Sequence, residues 1–150
     1  MIRRATPADV PALVDMGGRF FASSGMGEVT TYDPASIAHT FAQLIESPQG
    51  LLLVADDGGI VGMAGALVFP HYFNQRDLMA QELFWWVDEE ARQSGVGVGL
   101  LNAIEAWAEG MGARSVMMLS LAALEPEKVN RMYAKAGYRP AEQSFIKRLG

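Results

Sequence analysis

Apolar positions along the chain fall into blocks, and their spacing changes from block to block. Leu51-Leu-Leu-Val-Ala55 is short and continuous, which predicts a strand covered on both faces. Asp56-Asp57-Gly58-Gly59 predicts a hairpin turn, and Ile60 to Phe69 its partner strand. Leu78 to Val87 predicts another strand, rich in aromatics near its end. The spacing then changes: Leu100, Leu101, Ile104, Trp107, Ala108 and Met111 predict an amphipathic helix over 96–110.

Two earlier helices follow from similar signals. Thr6 caps the first and Pro7 opens it; Val10, Leu13, Val14 and Gly17 line one face, and Gly17-Gly18 ends or loosens it. Asp33-Pro34 opens the second, with Ile37, Phe41, Leu44 and Ile45 facing inward and Ser47 to Gly50 stopping it. Phe20 to Tyr32 and Pro70 to Arg76 read as loops. Ile2 to Ala5, Arg114 to Leu121 and Gln143 to Leu149 predict further strands, and Pro126 to Ala136 a last helix ended by Gly137. The order β-α-α-β-β-β-α-β-α-β-β predicts one α/β (α+β) domain over 1–150: a mixed sheet of about seven strands with four helices.

The join between the aromatic strand and its helix carries the chemistry. Glu82-Leu-Phe-Trp-Trp-Val87 breaks at Asp88-Glu89-Glu90 and continues as Arg92-Gln-Ser-Gly95-Val-Gly97-Val-Gly99. A helix start has backbone N–H groups without internal partners and a positive dipole end, so it suits an anion. Three alternate glycines would weaken the helix by ~1 kcal/mol each, which argues for a use. A phosphate or pyrophosphate is the expected ligand, with Arg92 adding charge. No Lys follows for a P-loop, and Leu100 occupies the last glycine position of a dinucleotide fingerprint begun at Gly95.

Bulk composition narrows the classes. Half of the 150 residues are apolar and 19% are charged, as in a globular chain. There is no cysteine, so disulfides, thiolate metal sites and a cysteinyl acyl-enzyme are excluded. Two isolated histidines, His39 and His71, make no metal site. No run approaches the ~20 apolar residues of a membrane helix, and no signal peptide opens the chain, so no membrane association and a cytoplasmic location are expected. Twelve basic against seventeen acidic residues, a net charge of −5, disfavours nucleic acid and mildly favours a cationic amine.

Arg92-x-x-Gly95-x-Gly97 between strand and helix resembles the pyrophosphate motif of the GNAT superfamily, the acyl-CoA-dependent N-acyltransferases. Three further stretches resemble that family in the same order: Ile2-Arg-Arg-Ala-Thr-Pro-Ala-Asp9 at the start, Val61-Gly62 in the third strand and Met132-Tyr-Ala-Lys-Ala-Gly-Tyr138 near the end. The resemblance implies a mostly antiparallel sheet splayed between strands 4 and 5. It implies acetyl-CoA as cosubstrate, no metal, and a small-molecule or peptide amine as acceptor. Homodimerisation, often through the late strands of such proteins, is a further expectation.

Residue roles follow from the same resemblance. The cosubstrate would be held by Trp85, Trp86, Val87, Arg92, Gln93, Ser94, Gly95, Val96, Gly97, Val98, Gly99 and Asn130, the last standing in for an Asn that Pro126 displaces. A backbone N–H near Trp86 or Val87 would hold the oxyanion. Tyr133 matches the general acid for the departing thiolate. Glu82 is a general base in one reading and a sheet-edge carboxylate, solvated or paired with Arg, in the other. Strict alternation puts it on the face of Phe84 and Trp86; a bulge would move it. Arg131 and Lys135 either face the 3′-phosphate or are solvated. His71, Tyr72 and Phe73 are expected to line the amine pocket. A non-catalytic acyl-CoA-binding, regulatory or structural protein on the same fold is the alternative.

Overall fold

A computed structural model describes residues 1–150. β1 (Ile2–Arg4), β2 (Gly50–Asp56), β3 (Ile60–His71), β4 (Asn74–Val87) and β5 (Ala113–Met117) form one sheet in that spatial order. The first four are antiparallel; β5 runs parallel to β4 because α3 (Val96–Gly110) carries the chain back across the sheet. α1 (Val10–Ser24) and α2 (Pro34–Glu46) cover one face. Their side of the core contains Leu13, Met16, Phe41, Leu44, Phe84 and Trp86. α3 covers the other face, burying Leu100 and Ile104 against Leu51, Leu53, Ala64 and Ala66. α4 (Pro126–Lys135) follows β5. No helix is long and apolar enough to cross a membrane.

The sheet has five strands rather than about seven. The expected strand over Gln143–Leu149 is not formed: no residue from 139 to 150 enters the sheet, and Phe145 and Leu149 are each 86% exposed. Periodicity marks a segment able to pair, but pairing needs an adjacent ladder, and this tail has none in the chain. The expected loop over Pro70–Arg76 is mostly strand, with only a tight turn at Tyr72-Phe73 between β3 and β4.

Gly17-Gly18 does not end α1, which continues to Ser24; Gly25, at φ 79°, ends it instead. Tyr32 explains the pair. Its hydroxyl donates to the Val14 carbonyl, and a Cβ at Gly17 would lie 2.9 Å from that hydroxyl oxygen. The glycines admit a tyrosine against the helix, so Phe20 becomes helical and reaches the site described next. α2 starts as expected, its Asp33 carboxylate accepting the Ser36 N–H at 3.2 Å.

Candidate active site

β4 and β5 pair only from Leu78↔Ala113 to Gln81↔Met117. β4 then continues six residues to Val87 without β5 beside it, so the sheet opens along its β5 side. A bulge lies at the opening: Gly65 faces Phe84 while Ala66 faces Glu82, leaving Leu83 unpaired. The extra residue reverses the alternation. Phe84 and Trp86 point to the α1–α2 core, whereas Glu82 shares the face of Trp85 and α3. Strict alternation had placed Glu82 with Phe84 and Trp86, and the bulge corrects it.

Glu82 is 4% exposed and has no cationic partner. Its Oε2 accepts the Leu119 N–H at 2.8 Å, across the opening. Burial pushes its carboxyl up to about 7, the Leu119 bond acting against that rise. The sheet-edge, Arg-paired reading does not describe this environment. Tyr133, from α4, donates its hydroxyl to the carbonyl of the same Leu119 at 2.5 Å. Its pKa is raised, by burial first and then by the charges of Glu82 and Tyr138. The Glu82 and Tyr133 side chains thus meet on one residue, Leu119.

The alternation of β4 also decides which amides face the opening. Asp88 N–H donates to Val61 C=O at 2.8 Å, so Trp86 and Phe84 direct their backbone groups to β3. The amides of Trp85 and Val87 face the other way. Of the two positions expected for the oxyanion donor, Val87 fits and Trp86 does not.

At the end of β4 the chain turns through a 3-10 segment, Glu89–Ala91, into the glycine stretch. Gln93 (φ 70°) and Gly95 (φ 86°) both take left-handed conformations. The six backbone N–H groups from Gln93 to Val98 have no acceptor within the chain. That is the donor array a diphosphate requires. Arg92 donates its Nε to Val87 C=O at 2.9 Å, and its guanidinium carbon lies 4.6 Å from the Trp86 ring centroid. Trp85 donates Nε1 to Gly97 C=O at 3.2 Å, and its ring lies 6.0 Å from that of Tyr133.

Apart from Tyr133, the side chains just described line one cleft of about 530 Å³; Tyr133 is buried off its wall and reaches it only through its bond to Leu119, which does line it. Glu82, Trp85, Trp86, Val87, Arg92, Gln93, Gly95, Gly97 and Val98 are all on its wall. Ser94, Val96 and Gly99 are not: Ser94 donates to Ala91 C=O, Val96 packs toward Gly62, and Gly99 lies against Ile2, where a Cβ would come within 2.6 Å. Asn130 is exposed and outside the cleft, because Val129, Arg131 and Met132 take the inward positions of α4. His71, Tyr72 and Phe73 also lie outside it. They stack on one another at the β3–β4 turn, eight residues of strand from Glu82 and so roughly 26 Å away at ~3.3 Å per residue.

Of the α4 cations on the wall, the sequence reading named Arg131 and Lys135 and missed Lys128. Lys128, Arg131 and Lys135 line the cleft with Arg92, opposed only by Glu82 and Glu125. The chain carries −5 overall, yet its cleft is locally cationic. The signal was present: positions 128, 131 and 135 share one helical face. Phe20, Leu121 and Leu124 complete the apolar side.

The sequence pattern of the Acetyltransferase (GNAT) family matches residues 20–138. The chain belongs to that family. No curated protein matches by sequence. Among solved structures, a transcriptional regulator from Bacillus halodurans C-125 is similar, with a TM-score of 0.80, 20% identity and coverage of 99% of both chains. An aminoglycoside antibiotic 6′-N-acetyltransferase from Acinetobacter haemolyticus superposes with a TM-score of 0.72 at 20% identity, covering 100% of this chain and 99% of its own. A predicted acetyltransferase with acetyl-CoA from Clostridium acetobutylicum gives 0.76 at 14% identity, covering 99% and 95%. At these identities the structural likeness bears on the GNAT fold alone. Family membership implies acetyl-CoA, and the unpartnered amides beside four cations fit its phosphates.

Proposed function

We propose that this GNAT protein transfers the acetyl group of acetyl-CoA to a primary amine by direct attack in a ternary complex. The observation that carries this reading is the meeting of Glu82 and Tyr133 on Leu119 at the mouth of the opened sheet. Glu82, poised near neutrality, takes a proton from the incoming ammonium and frees its lone pair. The amine nitrogen bonds to the thioester carbonyl carbon while the Val87 amide holds the oxygen. The C–S bond then breaks as the second proton of the bonded nitrogen passes to the departing sulfur, leaving a neutral amide and the free thiol. Tyr133 turns its hydroxyl from Leu119 C=O to the departing sulfur, which gains a hydrogen bond.

Tyr133's raised pKa sets the limits of its role. Full proton transfer to a thiolate is already uphill by about 2 kcal/mol at the ordinary values of ~10 and ~8.5, and burial makes it more so. Hydrogen-bond donation is therefore its contribution. The Gln93–Val98 amides and Arg92 hold the diphosphate, and the α4 cations offer a seat for the remaining phosphate.

The acidic chain and the carboxylate in the cleft support a cationic acceptor, a small-molecule or peptide amine. Aminoglycosides enter the trial panel because several proteins of similar fold act on them. The test is thiol release from acetyl-CoA against polyamines, aminoglycosides, amino acids and N-terminal peptides. Amine-dependent release is expected. Tight CoA binding without release from any amine class would favour the non-catalytic alternative, which Tyr133's bond to Leu119 in the resting chain also suits.

A further inference from the structure

Asp88 lies one residue past β4, and its carboxylate is surrounded by donors. It accepts Arg19 Nε at 3.0 Å and Nη2 at 2.8 Å from α1, and Trp86 Nε1 at 2.9 Å. Trp86 is 7% exposed and is held between two groups. Phe20 of α1 lies 5.5 Å from it on one side, and the Arg92 guanidinium 4.6 Å from it on another. Arg92 forms no ion pair; only its Nε is engaged, by Val87 C=O. Its terminal nitrogens are left for a ligand at the amide-lined turn.

Three acidic side chains could have captured Arg92 by sequence proximity, Asp88, Glu89 and Glu90. Asp88 is instead neutralised in bidentate fashion by Arg19, a geometry that leaves little carboxylate for a second guanidinium. The indole it pins supplies Arg92 with a fixed aromatic face, which favours a flat-lying guanidinium.

We propose that Asp88 is a positioning residue for the cosubstrate's diphosphate, acting through Trp86 on Arg92, with Arg19 keeping Asp88 from competing for that arginine. The proposal rests on the diphosphate site described above. It makes α1 part of the cosubstrate site: Phe20 lines the cleft and packs on the indole that orients Arg92, and Arg19 reaches that indole through Asp88.

The sign of one substitution separates positioning from simple charge. Asp88 is an anion close to an anion-binding turn, so if only charge matters, Asp88→Ala tightens CoA binding. Positioning requires the opposite. CoA affinity is measured by calorimetry at low ionic strength for the wild type, Asp88→Ala, Arg92→Gln and the double variant. Arg92→Gln is expected to weaken binding roughly tenfold and Asp88→Ala about fivefold. The double variant is expected to match Arg92→Gln within about twofold, because the two act through one guanidinium. Unchanged or tighter binding by Asp88→Ala, or multiplied losses in the double variant, would overturn the proposal. Trp86→Phe covers the case in which Asp88→Ala does not fold: it keeps a ring but removes the N–H that Asp88 holds. Weaker CoA binding is expected there too, and undiminished binding counts against the proposal. If wild-type protein fails to bind CoA, the diphosphate site falls and this inference with it; if wild type binds and Asp88→Ala is not weakened, only the role of Asp88 is lost.

Discussion

Glu82 accepts the backbone N–H of Leu119 at 2.8 Å, bridging β4 and the segment just past β5 where the sheet opens. A buried carboxylate whose strongest neighbour is one amide is held in its neutral form more than usual, and its pKa rises to about 7. If Glu82 is the base, kcat/KM for the amine rises with pH through about 7 with unit slope, before the acceptor's own titration. Glu82→Gln is expected to lower turnover at pH 8 by about 100-fold and to abolish that inflection. A pH–rate profile on both proteins checks this; an inflection that survives in Glu82→Gln sinks the assignment.

The same shift has a cost in stability, with a definite sign. The folded pKa lies above the usual 4.5, so the contribution is complete below about 4.5 and is lost as pH rises through about 7. The size is about 3 kcal/mol for a shift of this order. Gln at this position cannot ionise and still offers an oxygen to the Leu119 N–H. Glu82→Gln is therefore expected to be more stable than wild type at pH 8, by up to about 3 kcal/mol, and nearly equal to it at pH 4.5. Urea denaturation at the two pH values measures the difference, and equal stability at pH 8 contradicts the environment described.

Tyr133→Phe removes one hydroxyl and leaves its aromatic packing with Trp85 in place. Turnover is expected to fall about 10- to 100-fold with CoA affinity within twofold of wild type. Equal losses in both would mean that the hydroxyl serves binding. Stability is expected to drop by about 1 kcal/mol, the value of the lost bond to Leu119 C=O.

Leu83 tests the bulge. It is 40% exposed, so Leu83→Ala is expected to cost less than about 1 kcal/mol. Deleting Leu83 removes the extra residue and makes Glu82 and Phe84 consecutive, so plain alternation keeps Glu82 opposite Ala66 on the α3 face and Phe84 on the other. The deletion is expected to fold with a Tm within about 5 °C of Leu83→Ala, because no core residue changes face. Thermal unfolding of the two variants side by side checks it; failure of the deletion alone to fold would refute this register.

Gly97→Glu places bulk and negative charge on the wall of the diphosphate turn. A Cβ there would already lie 3.1 Å from Trp85 Cζ2. CoA-induced thermal stabilisation is expected to disappear. A shift equal to that of wild type would remove the turn from the binding site.

The helices and the glycine turn were legible because their signals are local. Helical spacing at 96–110, Asp33-Pro34, and glycines beside Arg92 act through neighbouring residues, and α3 has the predicted bounds. Family membership could be read from motif order for the same reason. What stayed illegible depends on partners distant in sequence. Gly17-Gly18 looks like a helix stop until Tyr32 is seen to occupy the space. Gln143–Leu149 has strand periodicity but no neighbouring strand. Glu82's face turns on a bulge that only the β3 register reveals, and its proton affinity on burial beneath Leu119, 37 residues away. Sequence alone specified the elements and the anion turn, since backbone preference and side-chain period are properties of short segments. Tertiary structure decided which residues share the cleft and in what ionisation state, since strand register and desolvation exist only once distant segments have packed.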